Sequence, residues 1–300
     1  MSGHAGLSRA PDSVTEAVHL VLTLSCPDRA GIIRTVSSFL FDHGANVVES
    51  QQYGDRRTGT FFMRVQFEAI GETPLEAAAL RRDFTRVAEA FGMTWRLTDT
   101  RTRHRVLILV SKFGHCLNDL LYRASIGALD VDVVAVVSNH PDLRHFAEQR
   151  DVPFHHIPVT AGTKPAAERQ LLDLVEELDV DLVVLARYMQ ILSEDLCKQW
   201  EGRAINIHHS MLPSFKGARP YHQAYDRGVK VVGATAHYVT SDLDEGPIIE
   251  QEVARVDHSM SAEQVAALGR DTECLALARA VRWHTSNRVL LDGGRTVVFR

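Results

Sequence analysis

The segment AINIHHSMLPSFKG, residues 204–217, gathers side chains able to do chemistry. Asn206 and His208 are two residues apart, so on a strand they face the same way, while His209 faces the other. The run ends in Pro213 and a loop of small residues, which puts the amide and the imidazole at a strand end. On spacing alone, a buried Asn and His bonded to neighbouring loops would look the same. Adjacent histidines on a strand diverge and no HExxH pattern is present, so a metal site is not expected. A second segment, GATAHYVTSDLDEGPIIEQ (233–251), ends a strand at Val239 and enters an acidic loop closed by Gly246 and Pro247. Asp242, Asp244 and Glu245 would also suit a solvated turn, and His237 a satisfied core position.

An amide, an imidazole and a carboxylate on strand-end loops suit attack of a nucleophile on a carbonyl. The carboxylate takes or orients the nucleophile's proton. The amide and imidazole donate to the oxygen that turns negative in the tetrahedral intermediate. Ser210 and Ser214 lack a GxSxG elbow, so the expected nucleophile is water or a second substrate.

Such residues need a scaffold to converge. VHLVLTLS (18–25) alternates as a strand, and CPDRAG follows as a turn in which Asp28 suits a helix N-cap. IIRTVSSFLFDHG has helical apolar spacing and stops at Gly44; ANVVESQQYGD is a second strand. TFFMRVQFEA puts Phe61, Met63, Val65 and Phe67 on one face, before the helix PLEAAALRRDFTRVAEAFG and the strand MTWRLTD. This is βαββαβ, the ferredoxin-like plan. Beyond TRTRH, apolar strands alternate with helices: RVLILV, a helix from about Cys116, DVDVVAVVS, PDLRHFAEQR, FHHIPV, AAERQLLDLVEEL and DLVVLA. VVGATAHYV, PIIEQEVARV and a long helix over 262–285 complete it. Alternation of this kind predicts an α/β domain with a doubly wound, mostly parallel sheet, whose sites lie beyond the carboxyl ends of the strands. The expected organisation is a loose tail over 1–17, a first domain over 18–98, a linker over 99–104 and a second domain over 105–300.

Composition agrees with about two folded domains in 300 residues. The net charge of −5 gives no basic footprint for nucleic acid, and no apolar run is long enough for a membrane span. MSGHAGLSRAPDSVTEA lacks the apolar core of a signal peptide, and four scattered cysteines form no CxxC pair. Both features lead us to expect reduced thiols and a cytoplasmic protein.

NIHHSMLPSFKG together with AHYVTSDLDEGPII resembles the folate-dependent formyltransferase family. The resemblance implies an active site of Asn206, His208 and Asp244. ARYMQILS (186–193) looks like that family's folate loop, so Met189, Gln190, Ile191 and Leu192 are expected against the pterin, with His237, Val239, Thr240 and Asp242 nearby. An ordinary strand-to-helix connection would read similarly. CPDRAGI resembles an ACT domain and implies an amino-acid effector at Asp28, Arg29, Ala30, Gly31 and Ile32, usually at the interface of a homo-oligomer, dimer or tetramer. A purely structural dimerisation module is the other reading.

The domain order, with SFKGARPYHQAY, GRDTECLALARAVRWH and RTVVFR, is similar to the deformylase branch of that family over about residues 18–300. The implied activity is hydrolysis of 10-formyltetrahydrofolate to formate and tetrahydrofolate, supplying formate and balancing one-carbon units for purine synthesis. No metal or other cofactor is expected. Asp244 would position and deprotonate water, His208 would donate to the oxyanion and help protonate the departing nitrogen, and Asn206 would complete the oxyanion site. Formyl transfer to an amine is the alternative. Relatives that use a ribonucleotide amine carry a glycine-rich phosphate loop after the first strand of this domain. Here VSKFGHCLNDLLYR (110–123) has only Gly114, with bulky Phe113 and His115 beside it, and Lys112 reads as a solvated lysine. A folate or amino-acid sensor and a metal-dependent amidohydrolase are the remaining readings.

Overall fold

The computed structural model describes residues 19–71, 73–213 and 220–300; the expected tail over 1–17 and Ser214 lie outside them. The chain divides between Arg101 and Thr102 into two units.

The first unit contains β1 (His19–Pro27), α1 (Ile32–Asp42), β2 (Ala45–Asp55), β3 (Thr60–Ala69), α2 (Ala77–Phe91) and β4 (Thr94–Asp99). Its sheet runs β2-β3-β1-β4 with every pair antiparallel, which is the ferredoxin-like arrangement. Period-two residues Leu20, Leu22 and Leu24 join Phe61, Met63, Val65 and Phe67 on one face. Ile32, Val36 and Leu40 of α1 and Leu80, Phe84 and Ala88 of α2, at helical spacing, pack over them. Gly44, at φ +71°, ends α1 as expected. Asp28 does not cap that helix. β1 continues through Pro27, the turn absorbs Asp28, and its backbone N–H donates to Gly59 O at 2.8 Å. The N-cap is Gly31 at φ +99°, with no side-chain cap.

The second unit opens with β5 (His104–Val110), so the segment between strands is 100–103, shorter than expected. There follow α3 (His115–Ser125), β6 (Val131–Ser138), α4 (Arg144–Glu148), β7 (Phe154–His156), α5 (Lys164–Glu177), β8 (Leu182–Leu185) and α6 (Glu194–Gln199). Next come β9 (Ala204–His208), α7 (Pro220–Asp226), β10 (Val231–Tyr238), β11 (Ile248–Arg255), α8 (Ala262–Thr285), β12 (Val289–Asp292) and β13 (Arg295–Val298). The seven-stranded sheet is ordered β11-β10-β9-β8-β5-β6-β7. Strands β5 to β9 are mutually parallel where they pair, and β10 is antiparallel to both neighbours. The chain winds outward from β5 to β7 and then crosses to β8 on the other side of β5. The switch point therefore lies between the carboxyl ends of β5 and β8, where such sheets bind ligands.

Helices α3 and α8 cover one face of this sheet, packing Cys116, Leu117, Leu120, Leu277 and Val281 against Ile205, Ile207, Ala234 and Ala236. Helices α5 and α6 cover the other, packing Leu171, Leu174 and Leu196 against Leu107, Leu109, Val183 and Ala204. A capping box of Ser261 and Gln264 starts α8. No helix among the described residues is long and apolar enough to cross a membrane.

Candidate active site

β9 supplies the amide and the imidazole. Its alternation sends Ile205 and Ile207 into the core under α3 and α8, and therefore turns Asn206 and His208 to the opposite face. A one-residue slip would exchange the two sets, so the apolar core fixes the register of the chemistry. The antiparallel ladder places His237 opposite Asn206 and Thr235 opposite His208, which adds His237 to the same face. His237 Nδ1 lies 2.9 Å from Tyr238 O, and a carbonyl can only accept, so that nitrogen carries the proton. In the neutral ring Nε2 then accepts from Asn206 Nδ2 at 3.2 Å. The second hydrogen of that amide is left for a ligand.

The carboxylate arrives differently from what the sequence suggests. Because β10 is antiparallel, its end at Tyr238 pairs with Ile205, away from the carboxyl end of β9. The loop after it must fold back over the sheet face to reach His208. Gly246 permits this: a Cβ there would sit 1.8 Å from Tyr238 O, and Tyr238 N donates to Pro247 O at 2.9 Å. Asp244 adopts φ +58°, a left-handed conformation that Asp tolerates better than most residues. Its Oδ2 accepts from His208 Nδ1 at 3.1 Å, and its Oδ1 is 3.7 Å from His237 Nε2. Burial pushes the Asp244 carboxyl up, but the hydrogen bond from His208 and the two imidazole rings facing it outweigh that and hold it well below the usual carboxylate range. His208 is 5% exposed, and its Nε2 has no hydrogen-bond partner among the described residues. A buried, unsatisfied imidazole nitrogen beside a carboxylate and a free amide hydrogen is a place for a polar reacting group.

His209 lies just past the end of β9, and its ring does not diverge from that of His208: the centroids are 5.2 Å apart. Burial, with the Arg187 charge beside it, pushes His209 down to about 4. Between that value and the ordinary histidine value of about 6.5 the unfolded chain binds a proton that the folded chain refuses, so stability falls as pH drops through this window. His209→Gln should remove about 2 kcal/mol of that loss at pH 5, read as a smaller drop in urea midpoint between pH 7 and pH 5 than the unchanged protein shows.

The remaining expected site residues divide. Met189 and Ile191 are exposed, while Gln190 and Leu192 are half-buried. Their loop leaves the carboxyl end of β8 and is pinned at the switch point: Met189 N donates to Ser111 Oγ at 2.9 Å, and Ser111 N to Arg187 O at 3.1 Å. Val239 and Leu192 pack in one apolar cluster, which joins this loop to the acidic one. Thr240 Oγ1 and Glu245 N donate to the carbonyl of exposed Asp242, so Asp242 builds the turn. Lys112 is exposed, as its solvated reading requires. In the first unit Asp28, Arg29, Ala30 and Gly31 are exposed, whereas the Ile32 side chain is 2% exposed in the core and offers a ligand only its backbone.

Sequence reasoning missed Arg187, which closes the β8 strand end at φ +66°, is 8% exposed and pairs with buried Glu273 at 3.2 Å. Glu273 also accepts from His115 Nε2 at 2.8 Å and Tyr221 OH at 2.9 Å. Burial pushes the Glu273 carboxyl up, and His115 and Arg187 pull it down further. His115, Cys116 and Glu273 bring three potential metal-ligand atoms within 4.8 Å of one another. That chemistry does not suit a cation. The carboxylate already faces a guanidinium, and a hydrogen bond to Cys274 together with burial raises the Cys116 thiol well above its ordinary value, keeping it protonated.

Residues 104–281 match the Formyl transferase family model, and residues 20–80 match the ACT domain. The chain is 53% identical to formyltetrahydrofolate deformylase of Corynebacterium sp. (strain P-1), covering 96% of this chain and 100% of the relative. It is 53% identical to the crystal structure of formyltetrahydrofolate deformylase from Burkholderia mallei ATCC 23344, with a TM-score of 0.90 over 94% of this chain and 100% of that one. A phosphoribosylglycinamide formyltransferase from Anaplasma phagocytophilum is 34% identical with a TM-score of 0.61, covering 66% of this chain and 96% of its own.

Proposed function

This chain belongs to the formyltetrahydrofolate deformylase family, and we propose that Asp244, His208 and Asn206 perform its reaction. It hydrolyses 10-formyltetrahydrofolate to formate and tetrahydrofolate. The observation that supports this assignment is the convergence of the Asp244 carboxylate on His208 at 3.1 Å, beside an Asn206 amide with a hydrogen to spare.

In this reading the formyl oxygen lies toward His208 Nε2 and Asn206 Nδ2. Asp244 keeps His208 oriented through the contact at Nδ1. Both groups then donate to the oxygen as it becomes negative, and each such donor is worth about 2.7–4 kcal/mol of transition-state stabilisation. Water sits against Asp244 Oδ1. A carboxylate this acidic is a weak base toward free water, so its first task is to hold the nucleophile. The water proton moves to Oδ1 as the C–O bond forms and its acidity rises. Collapse of the adduct breaks the bond from the formyl carbon to N10, and N10 takes a proton from the His208–Asp244 pair. Met189, Ile191 and Leu192 offer apolar surface for the pterin. No step draws on a metal or other cofactor. The formate released would serve one-carbon supply, including purine synthesis.

The ACT unit is read as a sensor for an amino acid at the exposed turn of residues 28–31, with the Ile32 backbone at its end. One assay tests both readings. Purified protein with 10-formyltetrahydrofolate, in chelator-treated buffer without acceptor, should release formate in step with tetrahydrofolate. Millimolar additions of single amino acids should change the rate for at least one of them. No formate without an acceptor would overturn the hydrolase, and rates indifferent to all twenty would overturn the sensor.

A further inference from the structure

Relatives with this second-unit fold bear the name phosphoribosylglycinamide formyltransferase, so the fold itself does not choose between water and an amine. The structure shows what stands at the switch-point crevice instead. Phe113 and His115 come from the end of β5, Arg187 from the end of β8, and His209 from the end of β9, three neighbouring parallel strands. The Arg187 guanidinium lies over the Phe113 ring, 5.2 Å from its centroid, and 3.2 Å from the Glu273 carboxylate. Glu273 is held from its other side by His115 and Tyr221. His209 links the cluster to the catalytic group: its ring centroid is 5.2 Å from that of His208 and 6.4 Å from that of Tyr221, which holds Glu273.

This is a costly thing to build for packing alone. Two charges are withdrawn from water, Arg187 Nε has no hydrogen-bond partner among the described residues, and Nη1 faces the Glu273 carboxylate at 3.2 Å as an ion pair. Apolar side chains of similar volume commonly serve stability as well or better. The left-handed backbone at Arg187 adds strain of the kind that collects at functional positions.

We propose that Arg187, clamped by Glu273 and covered by Phe113, is the specificity determinant of this enzyme: its bulk fills the crevice through which an amine would reach the formyl carbon, so that water alone attacks. The inference rests on the hydrolytic reading above and adds the reason for it. With an amine admitted, a C–N bond would form at the formyl carbon, the bond to N10 would break, and the amine proton would pass to N10.

The test is a partition ratio, which counts only active molecules and is insensitive to partial unfolding. Hydroxylamine is supplied with 10-formyltetrahydrofolate, and formohydroxamate and formate are measured together, corrected for the uncatalysed reaction. The unchanged enzyme should give formate almost alone, which also checks the hydrolytic reading separately. Arg187→Gly, whose glycine suits the left-handed backbone, should raise the hydroxamate-to-formate ratio at least tenfold. Arg187→Met, which keeps most of the bulk without the charge, should stay near the unchanged value. A folded Arg187→Gly enzyme with an unchanged ratio, or an equal rise in Arg187→Met, would overturn the proposal. Loss of all turnover in folded Arg187→Gly would do so too, since Arg187 would then be part of the catalytic group. Phe113→Ala, at a half-exposed ring whose loss the fold tolerates, gives an independent reading: a rise of at least threefold is expected, and no rise counts against the barrier.

Discussion

Replacing Asp244 by asparagine lowers kcat for formate release by about 10²- to 10⁴-fold, the range a positioned acid–base group supplies. The substitution is nearly isosteric, and asparagine accepts φ +58° as readily as aspartate, so the loop keeps its path. What disappears is the charge. His208 loses the anion 3.1 Å from its Nδ1, and water loses the oxygen that holds it and receives its proton. KM should change by less than about threefold, because the group acts mainly in the transition state. Steady-state formate release and a thermal melt on the same preparation check this. A folded variant with near-normal kcat would remove Asp244 from the reaction.

Gly246→Ala gives the second large effect, through geometry alone. The new Cβ would stand 1.8 Å from Tyr238 O and 2.9 Å from Tyr238 C, both backbone atoms that the β10 ladder holds in place. The loop must retreat by more than an ångström, and it carries Asp244 with it. A misplacement of about 1 Å at a reacting group costs about 10² in rate. Forcing the loop outward also costs about 1–3 kcal/mol of stability. The expected variant keeps its far-ultraviolet circular dichroism, melts several degrees lower, and loses about 10² in kcat. Full activity with an unchanged melting midpoint would show that the loop does not lean on β10.

Much of this architecture is readable from local pattern. The βαββαβ unit follows from period-two apolar residues such as Leu20, Leu22 and Leu24 alternating with helical spacing such as Ile32, Val36 and Leu40. Helix α8 occupies the expected span because a Ser-x-x-Gln box opens it at Ser261. Asn206 and His208 share a face because strand alternation is a local rule. What was not readable depends on direction and distance. Nothing near Val239 says that β10 runs antiparallel, so the return of Asp244 across the sheet was invisible. Asp28 looked like a cap because its type is right, but Gly31 took the position through its φ of +99°. The β12–β13 hairpin has a local signal in Asp292, Gly293 and Gly294, a turn between two short apolar runs. Arg187 carries no local sign of burial, because the carboxylate that makes it tolerable belongs to a helix far along the chain.

The pairing of β9 with β10 has one more consequence. The amide of Asn206 and the ring of His237 are set against each other by the hydrogen-bonded rungs between two adjacent strands, not by the stretch of chain that joins them. The spacing of these two groups is therefore a property of the ladder, while Tyr221 in the joining stretch has a separate task, donating to Glu273. A protein engineer reshaping the reaction centre would accordingly leave the rungs between β9 and β10 untouched, since a slip of either strand would part the amide from the ring.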